Sequence, residues 1–305
     1  MATAVSILHV VLALVLAPLL LGVINRVKAK FAGRRGQPLL QAYYDIAKLL
    51  RKGAVYSRTT TWVFRLGPIV SLAAVVASLL LLPLGAVVAV VAFPGDLLLW
   101  VYLLGLMRFV TVLAALDTGS AFEGMGASRE VQFSLLAEPA LLLGLVALAA
   151  WSGGLSLSQL TGTHSTGWLT GTAGAITLLV SASWLAVLLT ENARIPVDDP
   201  NTHLELTMIH EVMVLDHGGV DLGLIQYAAA VKLWVFAALL AGVLLPVRTA
   251  WPLVNLAGGV AGVLAVAMGV GVIESTMARL RLLRVPQMLV AAAVLAALAV
   301  VLVLR

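Results

Sequence analysis

A chain of 305 residues that is 62% apolar and only 11% charged, with a mean hydropathy of +1.08, is not a soluble globular domain, in which about 25% of residues carry charge. Its net charge of +5 follows from where a membrane protein keeps its Lys and Arg and requires no nucleic acid. With no cysteine, the chain can hold no disulfide, no Cys-ligated iron–sulfur cluster and no hydrogenase-type metal centre, so any redox chemistry belongs to a partner.

The apolar runs are continuous rather than alternating, which selects membrane-spanning helices over a barrel. The expected fold is an all-α polytopic membrane protein forming a single integral membrane domain over residues 1–305. Eight spans are expected at about 4–25, 67–92, 96–116, 129–150, 168–192, 223–246, 252–274 and 286–304. The first run is too long for a removable signal peptide and lacks a basic segment before it.

After the first span comes "RRGQPLLQAYYDIAKLLRKG". Gly33–Gly36 reads as a tight turn that leaves Arg34 and Arg35 free to meet lipid or a partner's carboxylates. Leu39, Leu40, Tyr43, Ile46, Ala47 and Leu50 form one face, and Gln41, Asp45, Lys48 and Lys52 the other. That is a cytoplasmic amphipathic helix suited to the membrane interface. Within the spans, Arg108, Glu138 and Lys232 are each nine residues from a predicted polar end, about 13 Å deep. Charges inside a membrane normally face the bundle interior and pair. A layer of these three either carries protons or ties three helices together. Between spans three and four, "ALDTGSAFEGMGASRE" adds Asp117, Glu123 and Glu130 in a Gly-rich segment expected to be a docking loop. No lysine follows its glycines, so it is not a phosphate loop.

The most polar stretch runs from Glu191 to Asp221 and holds seven of the fourteen acidic residues and three of the five histidines. Asp199-Pro200 reads as an N-cap with proline at the first helical position, opening a helix that ends at Gly218-Gly219. His203, His210 and His217 are seven apart, about 10.5 Å along a helix axis, too far to share a metal ion. The sequence "LELTMIHEVMVL" is too apolar to be freely solvated, so Glu205, His210 and Glu211 are expected in a packed interface. Fifteen Lys and Arg fall on the side of this stretch and two, Arg248 and Arg305, on the other. That bias puts the stretch in the cytoplasm and both termini outside it, in the cell's inner membrane. The basic side meets membrane lipid.

Together "RRGQPLLQAYYDIAKLLRK", "ALDTGSAFEGMGASRE" and "ENARIPVDDPNTHLELTMIHE" resemble the membrane subunit of formate hydrogenlyase and related energy-converting hydrogenases. That family is similar to the eight-span heel subunit of respiratory complex I. The resemblance covers nearly the whole chain, with three motifs in order between the right spans. It departs at Gln37, which intervenes before Pro38 where many relatives have proline directly after "RRG". The "RIPVDDPNTHLELTMIHE" loop lacks the "RxPFD" pattern of the quinone-linked branch, which favours the hydrogenase branch.

The resemblance implies a non-catalytic subunit that couples electron transfer to proton translocation. Soluble large and small partner subunits would hold a nickel–iron centre and iron–sulfur clusters, and antiporter-like membrane subunits would adjoin. It implies proton coupling through Glu138, Glu191, Glu205, Glu211, Arg108 and Lys232. Arg34, Arg35, Asp117, Glu123, Arg194, Asp198 and Asp199 would dock partners. A quinone-binding heel subunit, an independent ion transporter and a passive membrane anchor are the competing readings.

Overall fold

The computed structural model describes residues 2–160, 170–199, 208–245 and 248–305. In chain order the helices are α1 (Ala2–Phe31), α2 (Gln41–Leu50), α3 (Trp62–Leu81), α4 (Asp96–Asp117), α5 (Ala121–Ser152), α6 (Leu157–Leu160), α7 (Gly171–Glu191), α8 (Gly219–Leu244), α9 (Pro252–Thr276) and α10 (Val285–Leu304). Among the described residues, all helices but α2 and the four-residue α6 are long and apolar enough to cross a membrane, which gives the eight expected spans.

Helix α8 is the axis of the bundle. Every residue from Ala230 through Val243 is buried, and α1, α2, α3, α7 and α9 all pack on it. A helix that is apolar all round has no solvent face to keep and is covered on every side. Small side chains allow close approach. A side chain at Gly144 of α5 would overlap the Trp184 indole of α7, and one at Gly259 of α9 would press on Leu84. The ends of several helices meet at one polar end of the bundle. There the Asp117 carboxylate at the close of α4 accepts from the Thr61 and Phe64 amides (2.6 and 3.3 Å) and caps α3, and Leu280 N–H donates to Pro196 O at 2.8 Å.

Three boundaries differ from the sequence expectation. Helix α3 runs from Trp62 to Leu81 rather than over 67–92. Thr61 caps its start by accepting from Val63 N–H at 3.2 Å. After Leu81, Pro83 and Gly85 (φ 58°) turn the chain through a single bridge between Leu84 and Val87. Helix α5 begins at Ala121, not 129, so "AFEGMGASRE" is helical rather than a docking loop. Its glycine at 126 is needed because Val212 and Ile209 lie against it. The helix expected to end at Gly218 is absent over its described part, where the chain makes only a 3-10 turn, Glu211–Val214. Pro200, His203 and Glu205 lie outside the described residues.

Helix α2 is amphipathic as expected, with most of its apolar face open at the surface and its Tyr43–Ile46–Leu49 edge against the bundle. Tyr43, Ile46 and Leu49 are half-buried, whereas Leu39, Leu40, Ala47 and Leu50 are exposed. Tyr43 donates to Val15 O of α1 at 2.5 Å, and Leu49 and Leu50 approach Gly223 of α8. The chain entering α2 lies so close to α1 that a methyl group at Gly22 would collide with the Leu39 carbonyl.

Gly22→Ala should therefore lower the thermal unfolding midpoint in detergent, because this overlap with backbone costs about 1–3 kcal/mol. Gly105→Ala, where a Cβ meets nothing within 4 Å, should leave the midpoint unchanged or raise it through helix propensity.

Candidate functional site: a buried run of charges

The site begins with how α7 ends. Ala193 N–H donates to Thr190 O (3.2 Å) and Arg194 N–H to Leu189 O (2.8 Å), the paired reverse bonds of a Schellman turn. Ala193 takes the left-handed conformation, φ 48°, where glycine is usual. The turn leaves Glu191 as the last helical residue and sends Arg194 back into the protein, where it is buried.

Glu191 is a hub. Its Oε1 meets Arg108 Nη1 of α4 at 3.2 Å and its Oε2 meets Lys232 Nζ of α8 at 2.7 Å. Arg108 Nη2 also reaches Glu138 Oε1 of α5 at 2.7 Å. Glu138, Arg108, Glu191 and Lys232 thus form one alternating run across four helices. A cavity of about 10 Å³ opens among Arg108, Glu138 and Glu191, enough for about one water. The polar layer of Arg108, Glu138 and Lys232 exists at one level of the bundle, although α5 and α8 start earlier than expected, so Glu138 and Lys232 lie farther than nine residues from those starts. Glu191, not a direct contact, links the two cations. Both are buried or nearly so, while the Glu138 side chain is 42% exposed.

A second run lies nearer the polar end. Glu130 of α5 pairs with His210 Nδ1 at 3.1 Å, accepts from Ser134 Oγ at 3.3 Å and feels the charges of Lys232 and Arg108. Asp198 accepts from the Ile209 and His210 amides (3.0 and 3.3 Å) and pairs with Arg279 at 2.9 Å. Those side-chain bonds occupy amides that a helix would have used, which is why the described stretch is not α-helical. Glu274 of α9, wholly buried, is shared by Lys28 of α1 (2.8 Å) and Arg194 (3.5 Å).

The two described histidines of the polar stretch are tuned in opposite directions. Burial disfavours charge on His210, but the adjacent Glu130 carboxylate outweighs it and raises the pKa above 6.5. His217 lies flat on Phe64 with ring centroids 3.8 Å apart, and burial lowers it to about 4.

The structure brings Arg108, Glu138, Glu191 and Lys232 together. Glu211 opens the 3-10 turn directly after His210, and Glu205 lies outside the described residues. Of the residues expected to dock a partner, Arg34 and Arg35 are exposed and Asp199 is half-buried. Glu123, Arg194 and Asp198 are buried and occupied within this chain, and Asp117 is spent on capping α3. The sequence reading missed Glu130–His210 and Lys28–Glu274–Arg194 as pairs. Glu274 carried the same signal as Arg108, a charge inside an apolar run.

Residues 3–305 match the model of the NADH dehydrogenase family. The chain is 33% identical to hydrogenase-4 component C of Escherichia coli (strain K12), over 90% of this chain and 87% of that one. It is 34% identical to formate hydrogenlyase subunit 4 of the same organism, over 87% of each. Its fold is similar to a chain in the structure of the membrane-bound sulfane sulfur reductase, an archaeal respiratory membrane complex (TM-score 0.83, 21% identity, 99% of both chains).

Glu191→Gln leaves two buried cations facing a neutral amide and should destabilise the protein by about 3–5 kcal/mol, whereas Glu138→Gln, half in the open, should cost about 1 kcal/mol or less. Chemical unfolding in detergent reads both, and adding Lys232→Met to Glu191→Gln should recover part of the loss. The histidines predict two pH windows. The His210 pair stabilises fully below pH 6.5 and loses this as pH rises through its raised pKa. Neutral His217 loses stability as pH falls from 6.5 towards 4. His217→Phe should abolish the acid-side loss in a pH series of unfolding midpoints, and His210→Gln the alkaline one.

Proposed function

Because the chain belongs to the NADH dehydrogenase family, we propose that it is the non-catalytic membrane subunit of a hydrogenase-type, formate hydrogenlyase-like oxidoreductase complex. In this reading it couples electron transfer in soluble partners to proton translocation. The partners hold the nickel–iron centre and iron–sulfur clusters and dock at the polar end, where Arg34 and Arg35 are exposed to meet them. Antiporter-like membrane subunits adjoin the bundle. The chain sits in the inner membrane with both termini outside the cytoplasm, a placement supported by the fifteen-to-two distribution of Lys and Arg.

The observation that carries the coupling role is the run Glu138–Arg108–Glu191–Lys232. A carboxylate shared by two cations in a buried site changes its proton affinity strongly when one cation moves. Glu191 closes α7 immediately before the polar segment, so a shift of that segment acts directly on the hub. Arg194 and Asp198 tie the same segment to α9 and Arg279, which makes them positioning residues for the relay and leaves docking to the exposed arginines.

In inverted membrane vesicles, Glu138→Gln and Glu191→Gln complexes should keep dye-linked hydrogenase activity, which reports assembly, and lose most of their proton translocation. Translocation that survives both substitutions would reduce the chain to a passive anchor.

A further inference from the structure

A second group of titratable side chains lies at the polar end, separated from the relay by an apolar contact. Glu123, in the first turn of α5, is fully buried. Its Oε1 accepts from Asp216 N–H at 3.0 Å, and its Oε2 is buried with no hydrogen-bond partner. The neighbouring Thr118 hydroxyl is spent on Ala115 O at 2.8 Å. His217 Nδ1 and Asp221 Oδ2 are buried and unpartnered in the same way, in residues only 5% and 7% exposed. Around them stand the exposed Asp216, Tyr56, whose hydroxyl interacts with Asp221, and Arg65, which lies over the Tyr56 ring at 4.4 Å. Asp117 is turned to its cap on α3. Asp216, whose amide Glu123 holds, directly precedes His217, and His217 feels the Asp221 charge. Buried polar atoms left unfilled are costly, and these three fit a site that exchanges protons with water.

Glu123 and Glu130 are seven residues apart on one face of α5, about 10.5 Å along the axis. Between them lies Gly126, against which Val212 packs, with Ile209 O and Met213 Cγ 3.0 Å from where its Cβ would be. Val212 and Met213 are buried, and Met213 joins Val112, Ala115 and Ala127 in a small apolar cluster. Arg129 flanks this contact, its Nη1 donating to Met208 O and its Nη2 to Met125 Sδ, both at 2.8 Å.

We propose that Glu123, His217 and Asp221 form a proton-loading site on the basic side of the membrane, held off the Glu130–His210 pair by a seal of Val212 and Met213 on Gly126. The proposal rests on the coupling role above. The Glu123 carboxyl takes a proton from water through Asp221 and His217. When the 3-10 turn lifts, Glu123 passes that proton to the Glu130–His210 pair, returns to carboxylate and reloads from water. His217, held neutral by burial, stores no charge and acts only as a relay, taking a proton at one ring nitrogen as the other gives one up.

The test uses the intact complex in proteoliposomes, with dye-linked hydrogenase activity confirming assembly. Glu123→Gln keeps the acceptor for Asp216 N–H and removes the titration. It should lower proton translocation at neutral pH by at least about tenfold and make the remaining rate rise in proportion to external proton concentration, a dependence no packing defect produces. Asp221→Asn should behave likewise, and serves alone if Glu123→Gln fails to assemble. Val212→Ser should admit water and give a proton leak without turnover. A wild-type pH profile in the assembled carboxylate variants, or a Val212→Ser membrane that stays tight, overturns the proposal. Glu138→Gln, run in parallel, separates the two ideas. If it abolishes translocation while Glu123→Gln does not alter the profile, the loading site alone is wrong. If Glu138→Gln and Glu191→Gln both translocate normally as well, the coupling role itself fails.

Discussion

A carboxylate at the end of α7 is shared by a guanidinium from α4 and an ammonium from α8, and the arrangement of the bundle depends on it. Neither cation could remain charged at that depth alone, because removing an ion from water costs several kcal/mol even after relaxation. Glu191 makes both tolerable at once, and Glu138 supplies the remaining charge to Arg108. The pairing fixes where α7 must stop. Its Schellman turn places Ala193, Arg194, Val197 and Asp198 inside the protein instead of in solvent.

The same logic organises the polar end. Asp198 collects two backbone amides and Arg279, while Glu274 collects Lys28 and Arg194. The described residues on either side of this connection, 192–199 and 208–218, are thus fastened by side-chain carboxylates. Bonds of this kind are individually local, so a small movement can exchange them without disturbing the apolar packing of α8.

Much of the fold was legible because the membrane imposes a strict rule. An apolar run long enough to span can only be a helix, so the eight spans follow from hydropathy. The errors fell where the polar ends of helices decide the boundary. "AFEGMGASRE" looks like a loop because Gly and Glu disfavour a membrane helix. It is helical because Gly126 admits the 3-10 turn and Glu123 holds Asp216 N–H. The stretch before Gly218 has capping signals and apolar spacing suited to a helix, yet Asp198 diverts its first described amides. The amphipathic character of α2 was legible, whereas its seat on the bundle is set by Gly22 and Gly223 on two other helices.

The sequence alone determined the class, the number of spans, the family resemblance and the presence of charged residues within the bilayer region. It did so because hydropathy and charge are properties of each residue in turn, and their cost in lipid depends little on partners. Only the tertiary structure decided which charges pair. Glu191 reaches Lys232 although the two are far apart in sequence, and Glu274, unremarked in its apolar run, binds cations from α1 and from the turn after α7. An ion pair is a relation between helices, and its members are identified only when packing brings their side chains within a few ångströms.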